Sequence, residues 1–359
     1  MQLQISSLKV AVSHRISPTP SAHFWKTLAT HLLIPLFLAG GMALAYLGAF
    51  HQPQPHDLKV AIVGNSAQSM VFAQTVGDKA VGALDVQTVP DEQTAIALVT
   101  DRSIAAAYET DATHATLIVA SAASDTTAAA AQKIFLPIAY QQNLPLQLDD
   151  VVSVSDGDST GQGLFFLLVA LSVGGYASAV TIAALTGGIS VRWRLAISAA
   201  VAAVIAAIGI IVAGPIYHVL GSNALGVGLF AWLYDFGIIA IGVGLHPILR
   251  KWTTPVLTML FVMLNFTSSG GIFAAPFQPA FFAGLNTFWN GAAWLNAAQT
   301  LTYFPGQGFG FAALRLALWA GVGVALILLT HLWSIRRTAV ADETALVTQE
   351  EQEQSAIAA

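Results

Sequence analysis

The sequence predicts an α-helical polytopic membrane protein with six transmembrane helices and a small extracytoplasmic α/β domain between the first and second. Three observations predict this class. Charged residues make up 9% of the 359 residues and hydrophobic residues 55%, against about 25% charged in ordinary soluble domains, so most of the chain must lie in lipid. Uncharged apolar stretches recur at the length of about 20 residues that one helical crossing needs. Residues 51–163 break this pattern: they are mixed polar, with acidic residues well in excess of their four cations, Lys59, Lys79, Arg102 and Lys133.

Residues 1–30 are polar, carry Lys9, Arg15 and Lys26, and read as a cytoplasmic N-terminal segment. Residues 31–50 form the first span. Ala43-Leu44-Ala45 mimics a cleavage site, but the apolar run continues through Phe50 and the leading tail is long, so the span reads as an uncleaved anchor. Within 51–163, strands are expected at 58–63, 84–89, 104–108, 115–120 and 151–154. Helices are expected at 66–81, from Asp91-Glu92 to Thr100, and from Asp125 to about Gln142. Strands alternating with helices argue for an α/β domain. Its acidic surface points to solvent rather than to anionic lipid or nucleic acid.

Five further spans are expected at 164–189, 195–217, 223–246, 255–275 and 312–333, making residues 164–337 a five-helix membrane domain. Cytoplasmic short loops are enriched in Lys and Arg. Arg192 and Arg194, Arg250 and Lys251, and Arg336 and Arg337 fall in alternate loops, while 214–222 and 267–311 have no cation. Both termini are therefore expected in the cytoplasm, the α/β domain outside, and the protein in the cell membrane among lipid. Residues 338–359, rich in Glu, Gln and Ala, read as a polar cytoplasmic tail, disordered or weakly helical.

The run from Pro255 to Phe311 is too long for one helix. Ser268, Ser269, Gly270 and Gly271 interrupt it, and Pro276 and Pro279 break regular helix, while Phe273, Phe277, Phe281 and Phe282 keep it apolar. A broken outer element near 267–311 is expected, and irregular backbone at membrane depth survives only inside a surrounding bundle. On Asn265, Ser268 to Gly271, Pro279-Ala-Phe-Phe and Thr302-Tyr-Phe-Pro-Gly306, the chain resembles the type-2 ABC transporter permease superfamily and its YhgE/Pip-like branch. The resemblance covers roughly residues 30–337 and implies one span, an external domain, then five spans, with two short helices dipping into the membrane before the last. Phe24-Trp25-Lys26 resembles the interfacial helix that precedes the first span in that family.

Candidate transport-pathway residues are Asp235, Asn265, Ser268, Ser269 and Arg315. Asp235 is the one carboxylate well inside a span, where a charge is costly and is usually functional. It reads either as a proton-linked or polar-substrate contact or as a neutral or hydrogen-bonded Asp that bridges helices, with Tyr234 or Asn223 as candidate partners, or that lies nearer the interface. Arg315, at the outer end of the last span, reads as a snorkelling interface residue or a substrate contact. Asp156-Gly-Asp-Ser-Thr-Gly161 starts like a calcium loop, but Leu167 stands where the bidentate Glu belongs, so a solvated turn is expected. The chain lacks GxxxxGK[ST], any HExxH and any cysteine, so neither cofactor, metal nor catalytic site is expected. ATP hydrolysis then falls to another polypeptide.

The resemblance implies the membrane subunit of an ABC-type export system, paired as a homodimer or heterodimer and driven by a separate ABC ATPase meeting the loop 189–194. A non-transporting envelope protein, either a secretion accessory or a phage-receptor-type surface protein, is the alternative. A proton-coupled carrier using Asp235 is a third reading, without the inverted repeat of spans that many carriers show.

Overall fold

The computed structural model describes residues 21–221 and 223–357, with side chains described through Arg336. Lys9 and Arg15 of the expected N-terminal segment, and the side chains of Arg337 and the tail, lie outside the described residues. Among the described residues, five helical stretches are long and apolar enough to cross a membrane: Ala22–Phe50, Gly163–Leu185, Val191–Ile216, Ala224–Ser268 and Gly310–Arg336. The chain therefore has the build of a multi-pass membrane protein.

The first helix, α1, runs Ala22–Phe50, with the Ser21 hydroxyl accepting from the Phe24 N–H at its start. Phe24-Trp25-Lys26 is thus the first turn of the spanning helix itself, where a separate interfacial helix was expected. No glycine or proline lies between Lys26 and the middle of the helix until Pro35, so nothing divides the two.

Five strands follow: β1 Leu58–Val63, β2 Leu84–Val89, β3 Ala106–Thr110, β4 Ala115–Val119 and β5 Leu146–Asp150, with α2 Ala67–Lys79, α3 Glu92–Thr100 and α4 Asp125–Gln141 between them. They form one mixed sheet in the order β2-β1-β3-β4-β5, in which only β3 and β4 are antiparallel. Successive side chains of a strand face opposite sides. Leu58, Val60 and Ile62 pack with Ala73 and Val76 of α2 and Ala131 and Phe135 of α4, while Ala61 packs with Ala95 and Val99 of α3 on the other side. Tyr108 stacks on Phe135 and donates to Gln142 Oε1 at 2.6 Å, and burial pushes its phenol up to about 12. The last strand lies at 146–150, earlier than the expected 151–154. Asp149 and Asp150 precede the expected strand, yet Asp150 ends the ladder, where its carboxylate accepts from both the N–H and the hydroxyl of Ser121.

The remaining helices are α5 Gly163–Leu185, α6 Val191–Ile211, α7 Ala224–Leu249, α8 Thr253–Thr258, α9 Leu264–Ser268, α10 Ala280–Asn286, α11 Asn290–Tyr303 and α12 Gly310–Ile357. A π-helical turn, Met259–Met263, joins α8 to α9, and another, Val212–Ile216, ends α6. The backbone of α12 stays helical through Ile357, beyond the span and into the tail, which takes the helical of its two expected forms.

Close approaches fix the direction of each helix. His246 meets Thr253, a Cβ on Gly242 would meet Leu257, and Tyr234 meets Asn265, so the chain turns at Arg250–Trp252 and α8–α9 returns antiparallel along α7. Arg250 makes this reversal in the left-handed region, at φ 50°. Gly237 lies against Ala320 and Gly244 against Ile327, making α12 parallel to α7. Ser172 opposite Tyr234 and Ala179 opposite Gly242 make α5 parallel to α7 as well. Gly174 faces Ile205 and Gly209 faces Leu171, so α6 opposes α5. Gly41 beside Met263 and Phe50 beside Phe273 set α1 along α8–α9. The sheet sits at the end where α1 finishes and α5 begins. The loops carrying Arg192, Arg250 and Lys251 lie at the other end.

Candidate functional site

Two polar constellations stand out, one inside the helix bundle and one where the sheet layer meets it. The first is drawn from α5, α7, α9 and α11. Ser172, Tyr234, Asp235, Asn265 and Trp294 are all 1% exposed or less. The Ser172 and Tyr234 hydroxyls lie 2.6 Å apart, and Asn265 Nδ2 donates to Tyr234 Oη at 2.5 Å and to Ser172 Oγ at 3.2 Å. This triangle ties three helices together. α11 comes so close that a Cβ on Gly291 would lie 1.9 Å from Asn265 Oδ1.

Asp235 does not join that triangle. Neither carboxyl oxygen has a hydrogen-bond partner among protein atoms, and Oδ1 faces Gly175, whose added Cβ would stand 2.8 Å away. The expected bridge through Tyr234 or Asn223 is therefore absent: Tyr234 points its hydroxyl to Ser172 and Asn265 instead. Asn265 Oδ1, Trp294 Nε1 and both amide atoms of Asn290 are likewise buried without a protein partner. Buried polar groups are paired in the great majority of cases, so such a concentration sets this part of the bundle apart.

Of the other sequence candidates, Ser268 and Ser269 bond within the end of their own helix, and Ser269 also lines a cavity beneath the sheet layer. Their hydroxyls donate to the carbonyls of Leu264 and Phe266, which helps α9 to end at the left-handed Gly270. Arg315 is not a snorkelling side chain. It is half-buried, and its Nη2 donates to the carbonyls of Asn286 and Trp289 at 2.6 and 3.0 Å, locking the turn between α10 and α11 onto α12. The 156–161 turn is not freely solvated either. Asp158 is buried, and its carboxylate accepts from the N–H groups of Gln162 and Gly163 at 3.0 and 2.8 Å, capping α5.

The second constellation centres on Arg102, which no sequence motif marks. It sits in the left-handed region, at φ 59°, just after α3, and reaches the membrane part. Its Nη2 donates to Thr300 Oγ1 at 2.7 Å and to Gln307 Oε1 at 2.8 Å, Nε donates to Gln307 Oε1 at 3.0 Å, and the guanidinium lies 4.7 Å above the Phe304 ring. Burial draws its affinity for the proton below the ordinary arginine value, though a guanidinium keeps its charge regardless. Around it, Gln307 Nε2 donates to the Thr100 carbonyl, Gln299 Nε2 to Ala123, and Thr126 to Ile272. Phe277, from the broken element, is buried in the core shared by the sheet with α2 and α4. The layer is thus keyed into the bundle by side chains from both parts.

No family model, curated protein or solved structure matches the chain.

Proposed function

We propose that this chain is the membrane subunit of an export system driven by a separate ATPase, the function its resemblance to type-2 ABC permeases implies. The observation that carries the reading is the pair α10 and α11. Neither is long enough to cross a membrane, and α11 is buried against α5, α7 and α12, with Ala293, Trp294, Ala297 and Ala298 fully covered. Two short helices before the last span are what that family uses.

In this reading the antiparallel return of α8–α9 counts as a crossing of its own, so the helix directions alternate through six passes. Placing Arg192, Arg250, Lys251 and Arg336 in the cytoplasm puts the sheet layer outside the cell membrane. Arg194 is folded back, donating to the Gly187 carbonyl at 2.8 Å, so the exposed Arg192 and Trp193 are what the 189–194 loop offers an ATPase. A dimer of this subunit, or its pairing with a related one, would complete the assembly.

The test is mild-detergent purification of the native protein. We expect an ATPase polypeptide to copurify and its hydrolysis to be lost with Arg192→Glu. Recovery of the subunit with no ATPase in several detergents would favour the envelope-protein alternative. Topology is checked separately, since the chain has no cysteine. Thr113→Cys should react with an impermeant maleimide in intact cells and Ser190→Cys only after lysis. Labelling of Ser190→Cys from outside would overturn the arrangement.

The proton-coupled carrier is kept as the rival because one observation favours it, the unpartnered carboxyl of Asp235 in the bundle.

A further inference from the structure

A cavity of 480 Å³ lies between the sheet layer and the bundle, beside the Arg102 contacts. Three cations from distant parts of the chain line it: Lys59 of β1, Arg102 after α3 and Arg315 of α12. Asp57 is the one acidic residue in its wall. This convergence runs against the composition. Residues 51–163 have only four cations, two of which line the cavity, and Arg315 is the sole cation between Lys251 and Arg336.

Nor are these charges neutralised by carboxylates. Among the described residues the one cation–carboxylate contact within 4 Å is His114 with Asp111. Arg102 and Arg315 bond to neutral amide, hydroxyl and carbonyl oxygens, and Arg315 Nε is buried without a protein partner. Unpaired cations around a cleft with low-dielectric walls focus a positive potential into it. In the same wall the Asn286 and Gln299 amides already donate to the carbonyls of Ser268 and Ala123, and Asn296 adds a further side-chain amide. Guanidinium groups with amide donors suit a phosphate, whose several oxygens accept at once.

The rest of the wall is mixed, with Ser103, Ser124, Thr127 and Ser269 beside the apolar Val99, Ile104 and Leu295. The cavity lies at the level where α1 and α9 end and α12 begins, and Phe281, Phe288 and Phe311 are exposed on the helices around that level. Phenylalanine partitions favourably into hydrocarbon, so these side chains suit contact with lipid at that level. We propose that this cavity binds a phosphate-bearing amphiphile, its head group among Lys59, Arg102 and Arg315 and its apolar part directed to the bilayer. The inference deepens the export reading by naming the substrate class. It rests on that reading only for calling the ligand a substrate, because binding needs no ATPase.

The test uses the full-length protein in neutral detergent, with thermal shift and equilibrium binding of dioctanoyl phosphatidic acid, dioctanoylglycerol and inorganic phosphate. Phosphatidic acid should raise the melting temperature and bind in a salt-dependent way, and dioctanoylglycerol should do neither. Lys59→Glu reverses one charge on an exposed side chain without a structural bond and should weaken binding about tenfold. Lys133→Glu, on the exposed face of α4, should leave it unchanged. Equal binding of dioctanoylglycerol, or equal loss in both variants, would overturn the site. Inorganic phosphate bound as tightly as the lipid, with the same dependence on Lys59, would overturn the amphiphile and leave a site for free phosphate. Failure of any of these arms says nothing of an ATPase, and failure to copurify an ATPase says nothing of the cavity.

Discussion

Gly323→Leu should collapse the thermal stability of the purified protein, while Gly321→Leu, two residues away on the same helix, should leave it nearly unchanged. A Cβ on Gly323 would lie 2.7 Å from the Ala240 Cβ and 2.9 Å from the Ile241 nitrogen. Gly244 makes the reciprocal contact, 2.7 Å from the Leu326 Cβ and 2.8 Å from the Ile327 nitrogen. The obstacles include backbone of the facing helix, which cannot swing aside as a side chain can. In lipid, helices associate through such close van der Waals packing because no hydrophobic driving force separates helix from solvent. Forcing α7 and α12 apart should cost about 3 kcal/mol, the upper part of the range for overpacked cores. Gly321 has no atom within 4 Å of an added Cβ, so its leucine enters open space. Fluorescence-detected size exclusion after heating reads the difference. Equal melting of the two variants would show that α7 and α12 are not packed in this way.

Most of the helices and strands were legible in the sequence because each rests on a local pattern. Strands β1 and β2 fall on the residues where hydrophobic alternation places them. The α5 and α7 spans begin within a residue of their apolar runs, since a change from Asp, Gln and Asn to an uncharged run is a sharp signal. β5 was displaced because Asp150 is polar yet ladder-forming, and its partner Ser121 lies far off in the sequence. The return at Arg250 was expected as a loop with two cations, but its tightness depends on a left-handed backbone at a residue type that does not advertise it.

The candidate site was legible only in part. Asp235 and Asn265 stand out as polar residues in apolar runs. Ser172 and Trp294 do not, because a serine or tryptophan in a membrane helix is ordinary and their significance lies in convergence from four helices. Arg102 was hidden for a different reason. It lies in a polar stretch where a cation is unremarkable, and its partners Thr300, Phe304 and Gln307 come about 200 residues later. Nothing short of the fold places them together.

Asp235→Leu should raise the melting temperature by several degrees. The carboxyl is wholly buried, lacks both an ion pair and a hydrogen bond among the described residues, and leaves water on folding without compensation. An unmet buried polar group costs about 1–3 kcal/mol. Leucine keeps the branch at Cγ and removes that cost, whereas Gly175 opposite leaves little room for anything larger. Tyr234→Phe should act in the opposite direction, because it strips the shared partner from Ser172 and Asn265 while changing shape little. The driving force of transport is measured separately. In inverted vesicles containing the partner ATPase, export should follow ATP, and a proton gradient without ATP should drive none. Transport by the wild type on the gradient alone, abolished in Asp235→Asn, would replace the export reading with the carrier. A lower melting temperature for Asp235→Leu would instead mean that the carboxyl has a stabilising partner and is structural.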